Sequence, residues 1–158
     1  MDQTFKTTIP TKKLQQKLLQ LLQNINGKEF TFEEAANPTI PQCKIIFEFG
    51  IAEENNFNYI DQEEIKKAKT LLKQENPTAI DLFCAIRYYK TKTQKKTPLK
   101  FDYYLLRTIF NQDNFQIQIF HKKGPRYLSP QDLTQFIINK TNETSNKKIL
   151  KQTPESTE

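Results

Sequence analysis

The chain has 158 residues, a net charge of +6 at pH 7 and a composition that is 36% hydrophobic and 11% aromatic, which predicts one domain with tails. Its three glycines argue against a small barrel with many glycine bends and against a glycine-rich phosphate loop. No apolar run approaches the length of a membrane span, and the first ten residues lack the apolar core of a signal peptide, so we expect an intracellular protein without membrane contact.

The N-terminal part predicts a flexible segment followed by an amphipathic helix. Residues 1–10 are polar, and we expect them to be mobile. From Thr11, leucines recur at helical spacing until the stop signal Asn26-Gly27. The apolar side of this helix either packs on a sheet or binds another protein chain. The residues assigned to partner binding on it are Leu14, Leu18, Leu21 and Leu22.

The next segment predicts strand, short strand and helix. Residues 43–51 place alternate apolar side chains on one face, and FNYI at 57–60 is typical of a short strand that pairs back. Asp61 and Glu64 form a capping box that begins a helix, which ends before Pro77. Cys43, like Cys84 further along, lies in an apolar run and is predicted to be a buried free thiol, with a disulfide between adjacent strands as the alternative.

The second half predicts three consecutive strands and a helix. Residues 80–90 are apolar on both faces, as in a central strand, and residues 101–110 repeat that pattern. After a polar break, residues 115–120 alternate apolar and polar side chains, which indicates a half-exposed strand of a hairpin. Ser129 and Pro130 then begin a helix.

Together these elements predict an α+β fold. We expect a mainly antiparallel sheet, formed by the three consecutive C-terminal strands and an N-terminal strand, with helices packed on it. The single domain is expected to span residues 11–140, and the polar residues 141–158 are expected to form a disordered tail.

Two basic clusters indicate contact with nucleic acid. One follows the first of the three strands and the other follows the third, so both lie at the same end of the predicted sheet. Their lysines and arginine could contact several phosphates, weakly and without sequence preference, and DNA is favoured over RNA. A solvated loop that only keeps the domain in solution is the open alternative. The residues assigned to nucleic-acid binding are Lys90, Lys92, Lys95, Lys96, Lys100, Lys122, Lys123 and Arg126.

Four tyrosines in two neighbouring predicted strands are a second candidate feature. Tyr88, Tyr89, Tyr103 and Tyr104 cannot all point into the core. A tyrosine on an open sheet face could stack on a base or anchor a protein partner, and Tyr103 is assigned to partner binding. Core packing remains the simpler interpretation for each tyrosine alone.

Catalytic chemistry has one candidate in this sequence. His121 is the single histidine, and with nearby lysines and tyrosines it could act in metal-independent RNA cleavage. A surface histidine beside lysines is the simpler interpretation. No zinc-ligand spacing, P-loop, GxGxxG or GxSxG motif is present, so we predict no metal, no cofactor and no catalytic residue.

The order of elements and the segments AIDLFCAIRYYK and FQIQIFHKKGPRYLSP resemble the small non-catalytic subunit of tRNA-splicing endonuclease over residues 40–130. This chain departs from that family by the strand FDYYLLRTIF and by the position of His121 after the tyrosines, so nuclease activity is not carried over. Size and composition also resemble two ciliate proteins. One is the small accessory subunit of the nuclear complex that methylates adenine in DNA, and the other is the small single-barrel subunit of the telomerase-associated trimer.

These resemblances imply a non-catalytic role in the nucleus. We expect an accessory or scaffold subunit of a nuclear complex that acts on nucleic acid, most of all a DNA adenine methyltransferase complex. It would stabilise the catalytic subunit and add nonspecific phosphate contacts. The alternatives are a single oligonucleotide-binding barrel associated with telomerase and a metal-independent RNA endonuclease that uses His121.

Overall fold

The computed structural model describes residues 2–31, 43–53, 56–90, 100–145 and 148–152. Three helices are present in this part of the chain: α1 (Thr11–Ile25), α2 (Gln62–Glu75) and α3 (Pro130–Thr144). The strands are β1 (Asp2–Thr7), β2 (Glu29–Thr31), β3 (Cys43–Glu53), β4 (Asn56–Tyr59), β5 (Ala79–Lys90), β6 (Lys100–Phe110), β7 (Asn114–Lys123) and β8 (Leu150–Gln152).

All eight strands belong to one antiparallel sheet. The strand order is β2-β3-β5-β6-β7-β1-β8, and β4 pairs with β3 outside this path. The three long strands β5, β6 and β7 are consecutive in the chain and adjacent in the sheet. The predicted α+β fold with a mainly antiparallel sheet is therefore confirmed.

One face of the sheet carries the core, because apolar side chains alternate along the strands. In β5 the buried residues are Leu82, Cys84, Ile86 and Tyr88, as the two-residue period predicts. The helices pack on this inner face: Phe136 of α3 stacks on Phe47 of β3 with ring centroids 4.9 Å apart. The buried Cys84 is a free thiol, as predicted, whereas the side chain of Cys43 lies outside the described residues.

Side chains that cap the helices fix where α2 and α3 begin. The Asp61 carboxylate accepts the Glu64 N–H at 2.9 Å, and Ser129 Oγ accepts the Asp132 N–H at 3.1 Å, with Pro130 in the first turn of α3. After α1, Asn26 joins the helix end to the sheet: its amide donates to the carbonyls of Phe49 and Ile60 and accepts the Phe49 N–H.

Both predicted tails contain strands instead. Residues 2–7 form β1, which lies between β7 and β8, and Phe5 is buried in the core. At the other end, α3 continues to Thr144 and residues 150–152 form β8. The C-terminal segment is ordered because it buries apolar side chains: Ile149 and Leu150 are both buried. In the sequence these two residues stand among polar residues, which is why the segment is predicted to be a tail. Residues 146–147 and 153–158 of the predicted C-terminal tail lie outside the described residues.

The partner-binding assignment of the α1 leucines is wrong for the folded chain. These side chains are 0–3% exposed and belong to the main core cluster, so no other protein can contact them. The helix packs within the molecule, which was the other interpretation of its apolar side. The residues concerned are Leu14, Leu18, Leu21 and Leu22.

None of the helices in the described part of the chain is both long enough and apolar enough to cross a bilayer.

Candidate interaction face and its basic end

The sheet face opposite the core, called here the outer face, carries exposed aromatic side chains. Phe120 of β7 is 55% exposed, Phe57 of β4 is 46% exposed and Phe101 of β6 is 39% exposed. Phe83, Tyr103 and Leu105 lie half-buried between them. No helix covers this face in the part of the chain that the structure describes. Large exposed apolar patches of this kind are typical of sites that bind another molecule.

The aromatic rings form a continuous row across the strands. Phe57 contacts Phe83 with ring centroids 4.8 Å apart, and Phe83 contacts Tyr103 at 5.8 Å. Tyr103 and Phe101 then lie nearly parallel, at 13°, with centroids 6.3 Å apart. Gly50 makes room for this row, because a Cβ atom there would collide with the Phe57 ring. Tyr103, assigned to partner binding from the sequence, thus lies within the aromatic row.

Several predicted basic residues lie at one end of the sheet, called here the basic end. It consists of Lys100 at the start of β6 and of Lys122, Lys123 and Arg126 at and after the end of β7, all with exposed side chains. Lys100 and Lys123 line one pocket of about 440 Å³ together with Phe101, Tyr103, Gly124 and Pro125. We call it the corner pocket. Lys92, Lys95 and Lys96 lie outside the described residues, as does the side chain of Lys90.

A buried carboxylate, Asp102, lies directly behind the corner pocket. It is fully buried and accepts four hydrogen bonds. The Tyr88 hydroxyl donates to Oδ2 at 2.6 Å, and His121 Nε2 lies 2.8 Å from Oδ1. The backbone N–H groups of Arg126 and Tyr127 donate at 2.6 and 2.9 Å. A buried charge is tolerated when it is satisfied in this way, and here it holds the loop after β7 against β6.

The loop after β7 requires an unusual backbone. Gly124 has φ +110°, and a Cβ atom there would collide with the Phe101 carbonyl oxygen and with Asp102. Arg126 follows in the left-handed region with φ 61°. The loop therefore runs directly on the backbone of Phe101 and Asp102, which only glycine permits at position 124.

The four tyrosines divide between the two faces of the sheet. Tyr88 and Tyr104 are fully buried, whereas Tyr89 and Tyr103 are half-buried on the outer face. Burial raises the pKa of Tyr88 well above its ordinary value of 10.0, and its hydrogen bond to Asp102 acts in the same direction. Burial also raises the pKa of Tyr104, followed by the charge of Asp102. The Tyr104 hydroxyl donates to the Leu128 carbonyl.

His121, the catalytic candidate, lies at the edge of the same buried network. Its side chain is 20% exposed, and its ring packs edge-on against Tyr104 with centroids 5.1 Å apart. The Nε2 atom faces Asp102, so this nitrogen is occupied by a structural hydrogen bond. Among the described residues no group of three or more His, Cys, Asp or Glu side chains is placed to hold a metal ion.

Sequence reasoning missed Asp102, Phe101 and Phe120. The signal for Asp102 is present in the strand FDYYLLRTIF, where it shares the alternation with Tyr104, Leu106, Thr108 and Phe110. An acid on the buried side of a strand needs donors, which the sequence does not reveal. Phe101 and Phe120 are ordinary strand residues in sequence, and only the uncovered sheet face distinguishes them.

The fold and this surface define an α+β protein with an open, aromatic sheet face that is basic at one end. Comparison of the chain with protein-family models, with curated proteins and with solved structures finds no match.

Proposed function

We propose that the protein is a non-catalytic accessory subunit of a nuclear complex that acts on nucleic acid. Its outer face binds another subunit, and its basic end adds contacts to phosphates. The particular assembly proposed is a complex that methylates adenine in DNA, on the resemblance in size and composition described above.

The observation that carries this proposal is the exposure of large aromatic side chains on the outer face. Phe120 and Phe57 expose about half of their side chains, beside the half-buried Leu105 and Phe83. Exposed aromatic residues are typical of the centres of protein interfaces. Their burial on binding removes a large apolar area from water and costs little side-chain entropy.

Ion pairs lie beside the aromatic row, as the polar rim of a protein interface requires. Arg107 donates two hydrogen bonds to Asp81, at 2.8 and 3.0 Å, and Arg87 pairs with Glu48. An apolar centre within a polar border is the usual composition of an interface between subunits.

Copurification tests the partner contact. The tagged chain is purified from nuclei of cells that express it, in three forms: unchanged, with Phe120→Ser and with Leu71→Ser. Leu71 is the matched control, because it is 41% exposed but lies on α2. We expect the unchanged chain and the Leu71 variant to retain a subunit of an enzyme acting on nucleic acid, and Phe120→Ser to reduce its recovery about tenfold or more.

Two results would contradict the proposal. One is a set of nuclear partners without any enzyme that acts on nucleic acid. The other is equal recovery of that enzyme with the Phe120 and Leu71 variants, which would place its contact elsewhere. Recovery of a DNA adenine methyltransferase in particular would support the finer assignment.

The structure gives less support to the two alternative functions, an oligonucleotide-binding barrel and a ribonuclease. An oligonucleotide-binding fold is a partly open barrel of five strands, whereas the described strands form one sheet of eight strands whose path has two separate ends, β2 and β8. A ribonuclease would need the His121 imidazole to reach a 2′-hydroxyl, and its Nε2 faces Asp102. Incubation of the purified chain with RNA in EDTA tests this, with His121→Gln beside the unchanged protein. Cleavage by the unchanged protein alone would establish the enzyme alternative.

A further inference from the structure

We propose that the corner pocket binds single-stranded nucleic acid, with a base stacked on Phe101 and the adjoining phosphates held by Lys100 and Lys123. The inference deepens the phosphate contact of the proposed function and rests on it. It adds a defined site, a strandedness and an aromatic residue that recognises a base.

The aromatic floor of the pocket suits a base. Phe101 and Tyr103 occur two residues apart on the same strand, and their rings lie nearly parallel at 13°. Phe101 is 39% exposed and lines the pocket, so part of its side chain is open to a ligand. Stacking of this kind is tolerant of base identity, since every base has a π-face.

The charge around the pocket suits phosphate. Among the described residues that line the pocket, two are lysines and none is acidic. Within the described part of the chain, the recorded ion pairs leave the ammonium groups of Lys100 and Lys123 without a carboxylate. The nearest acid behind the pocket, Asp102, is buried and fully engaged. A phosphate would thus meet positive charge that no carboxylate of the described residues neutralises.

The wall of the pocket is held rigidly before any ligand binds. Gly124 and Pro125 form this wall, and the next two residues donate their N–H groups to Asp102. The close approach of Gly124 to the Phe101 backbone fixes the wall against the aromatic floor. A rigid pocket loses little conformational entropy on binding, which favours a defined site over a diffuse electrostatic surface.

This geometry favours a single strand over a duplex. Bases in a duplex are stacked on each other and turn only their edges outward, so their faces cannot reach Phe101. A strand that is not paired can place a base flat on the ring while its phosphates lie along the lysines. A protein segment is the less suitable occupant here, because the pocket rim combines an aromatic ring with two lysines that form no ion pair within the described ranges.

Fluorescence anisotropy with labelled oligonucleotides tests the inference. The probes are single strands of about 12 thymidines or uridines and a DNA duplex of the same length, at about 50 mM salt. We expect both single strands to bind more tightly than the duplex. The ratio between the DNA and RNA strands shows which of the two nucleic acids is preferred.

Variants with matched controls locate the site. Phe101→Ala should weaken single-strand binding about 5- to 150-fold, and Phe101→Tyr should retain most of it. The Lys100→Ala/Lys123→Ala double variant should lower the slope of log K against log salt by about 1.4, the value for two phosphates. The controls are Phe120→Ala, on the same face outside the pocket, and Lys66→Ala/Lys67→Ala, which removes the same charge from exposed positions on α2.

Three outcomes overturn the inference. They are the absence of binding at protein concentrations up to about 100 µM, equal effects of Phe101→Ala and Phe120→Ala, and a duplex affinity as high as that of the single strands. None of them removes the partner contact of the proposed function, because that is measured by copurification with Phe120→Ser. Circular dichroism melts show whether each variant is folded, and the exposed position of Phe101 predicts that its variants are.

Discussion

At the scale of single residues, Asp102 determines how the basic end is built. One carboxylate connects β5 through Tyr88, β7 through His121, and the following loop through two backbone N–H groups. Such a group lowers the free energy of the folded state only while all its donors remain in place, because a buried charge without partners is costly. The residue thus links the packing of the core to the shape of the corner pocket.

Replacement of this carboxylate should destabilise the protein strongly. Asp102→Asn keeps the shape but puts an NH₂ group where donors converge, and we expect the free energy of unfolding to fall by about 2–5 kcal/mol. Urea denaturation followed by circular dichroism measures this. Asp81→Asn is the control, since its pair with Arg107 is exposed, and it should leave stability almost unchanged. Equal losses in the two variants would refute the role given to Asp102.

The buried tyrosines predict a loss of stability at high pH. The pKa of Tyr88 and that of Tyr104 are raised in the folded state above the ordinary value of 10.0. As pH rises past this value the unfolded chain releases protons first, so the stabilisation is complete below it and declines until the raised pKa is reached. Urea denaturation at about pH 8 and about pH 11 should show a smaller fall for Tyr88→Phe and Tyr104→Phe than for the unchanged protein. Identical falls would contradict this explanation.

At the scale of elements, the segment between β7 and α3 is the part that depends most on a single conformation. It leaves the strand at Lys123, passes through two residues with positive φ, at Gly124 and Arg126, and enters α3 through the Ser129 cap. Because it lies directly against β6, its path decides where the wall of the corner pocket stands.

Replacement of Gly124 should therefore destabilise the protein. Gly124→Ala places a Cβ atom against the Phe101 backbone at a φ that L side chains rarely adopt, and we expect a loss of about 1–3 kcal/mol or more in the free energy of unfolding. Gly50→Ala is the matched comparison, because the atoms it meets belong to the exposed Phe57 ring, which can turn away. Thermal melts of both variants measure the two losses of stability. A smaller effect at Gly124 than at Gly50 would be inconsistent with the loop described here.

At the scale of the whole molecule, the two ends of the chain complete the sheet. Strand β1 pairs with β7, and β8 pairs with β1, so residues from both termini extend the platform beyond the three long strands. Phe5 of β1 contacts Phe115 of β7, with ring centroids 6.4 Å apart, and it is 1% exposed. The platform that presents the outer face thus includes residues which the sequence suggests are mobile.

Truncation of the Phe5 side chain should test the position of β1. Phe5→Ala removes a buried ring, and we expect the free energy of unfolding to fall by about 3–5 kcal/mol, as for other buried phenylalanines. Lys6→Ala, one residue on and exposed, should change it little. Denaturant titrations of the two variants provide the comparison. An unaffected Phe5 variant would mean that the N-terminal segment is not part of the sheet in solution.

Features that depend on neighbours along the chain could be predicted from the sequence. The alternation in β5 and β7, the leucine spacing of α1, and the caps at Asp61 and Ser129 all specify local geometry through a period of two or 3.6 residues or through a hydrogen bond across one turn. For that reason the α+β class and the three consecutive strands could be predicted correctly.

Tertiary structure alone decided the features that depend on distant partners. β1 and β8 are short and polar, and they become strands because residues more than one hundred positions away offer them backbone partners, as Phe5 does with Phe115. Asp102 is satisfied by groups 14 to 25 residues away, and the leucines of α1 are enclosed by other elements. The position of the helices on the sheet determines which aromatic residues remain exposed. That position depends on contacts throughout the core and not on any local sequence pattern.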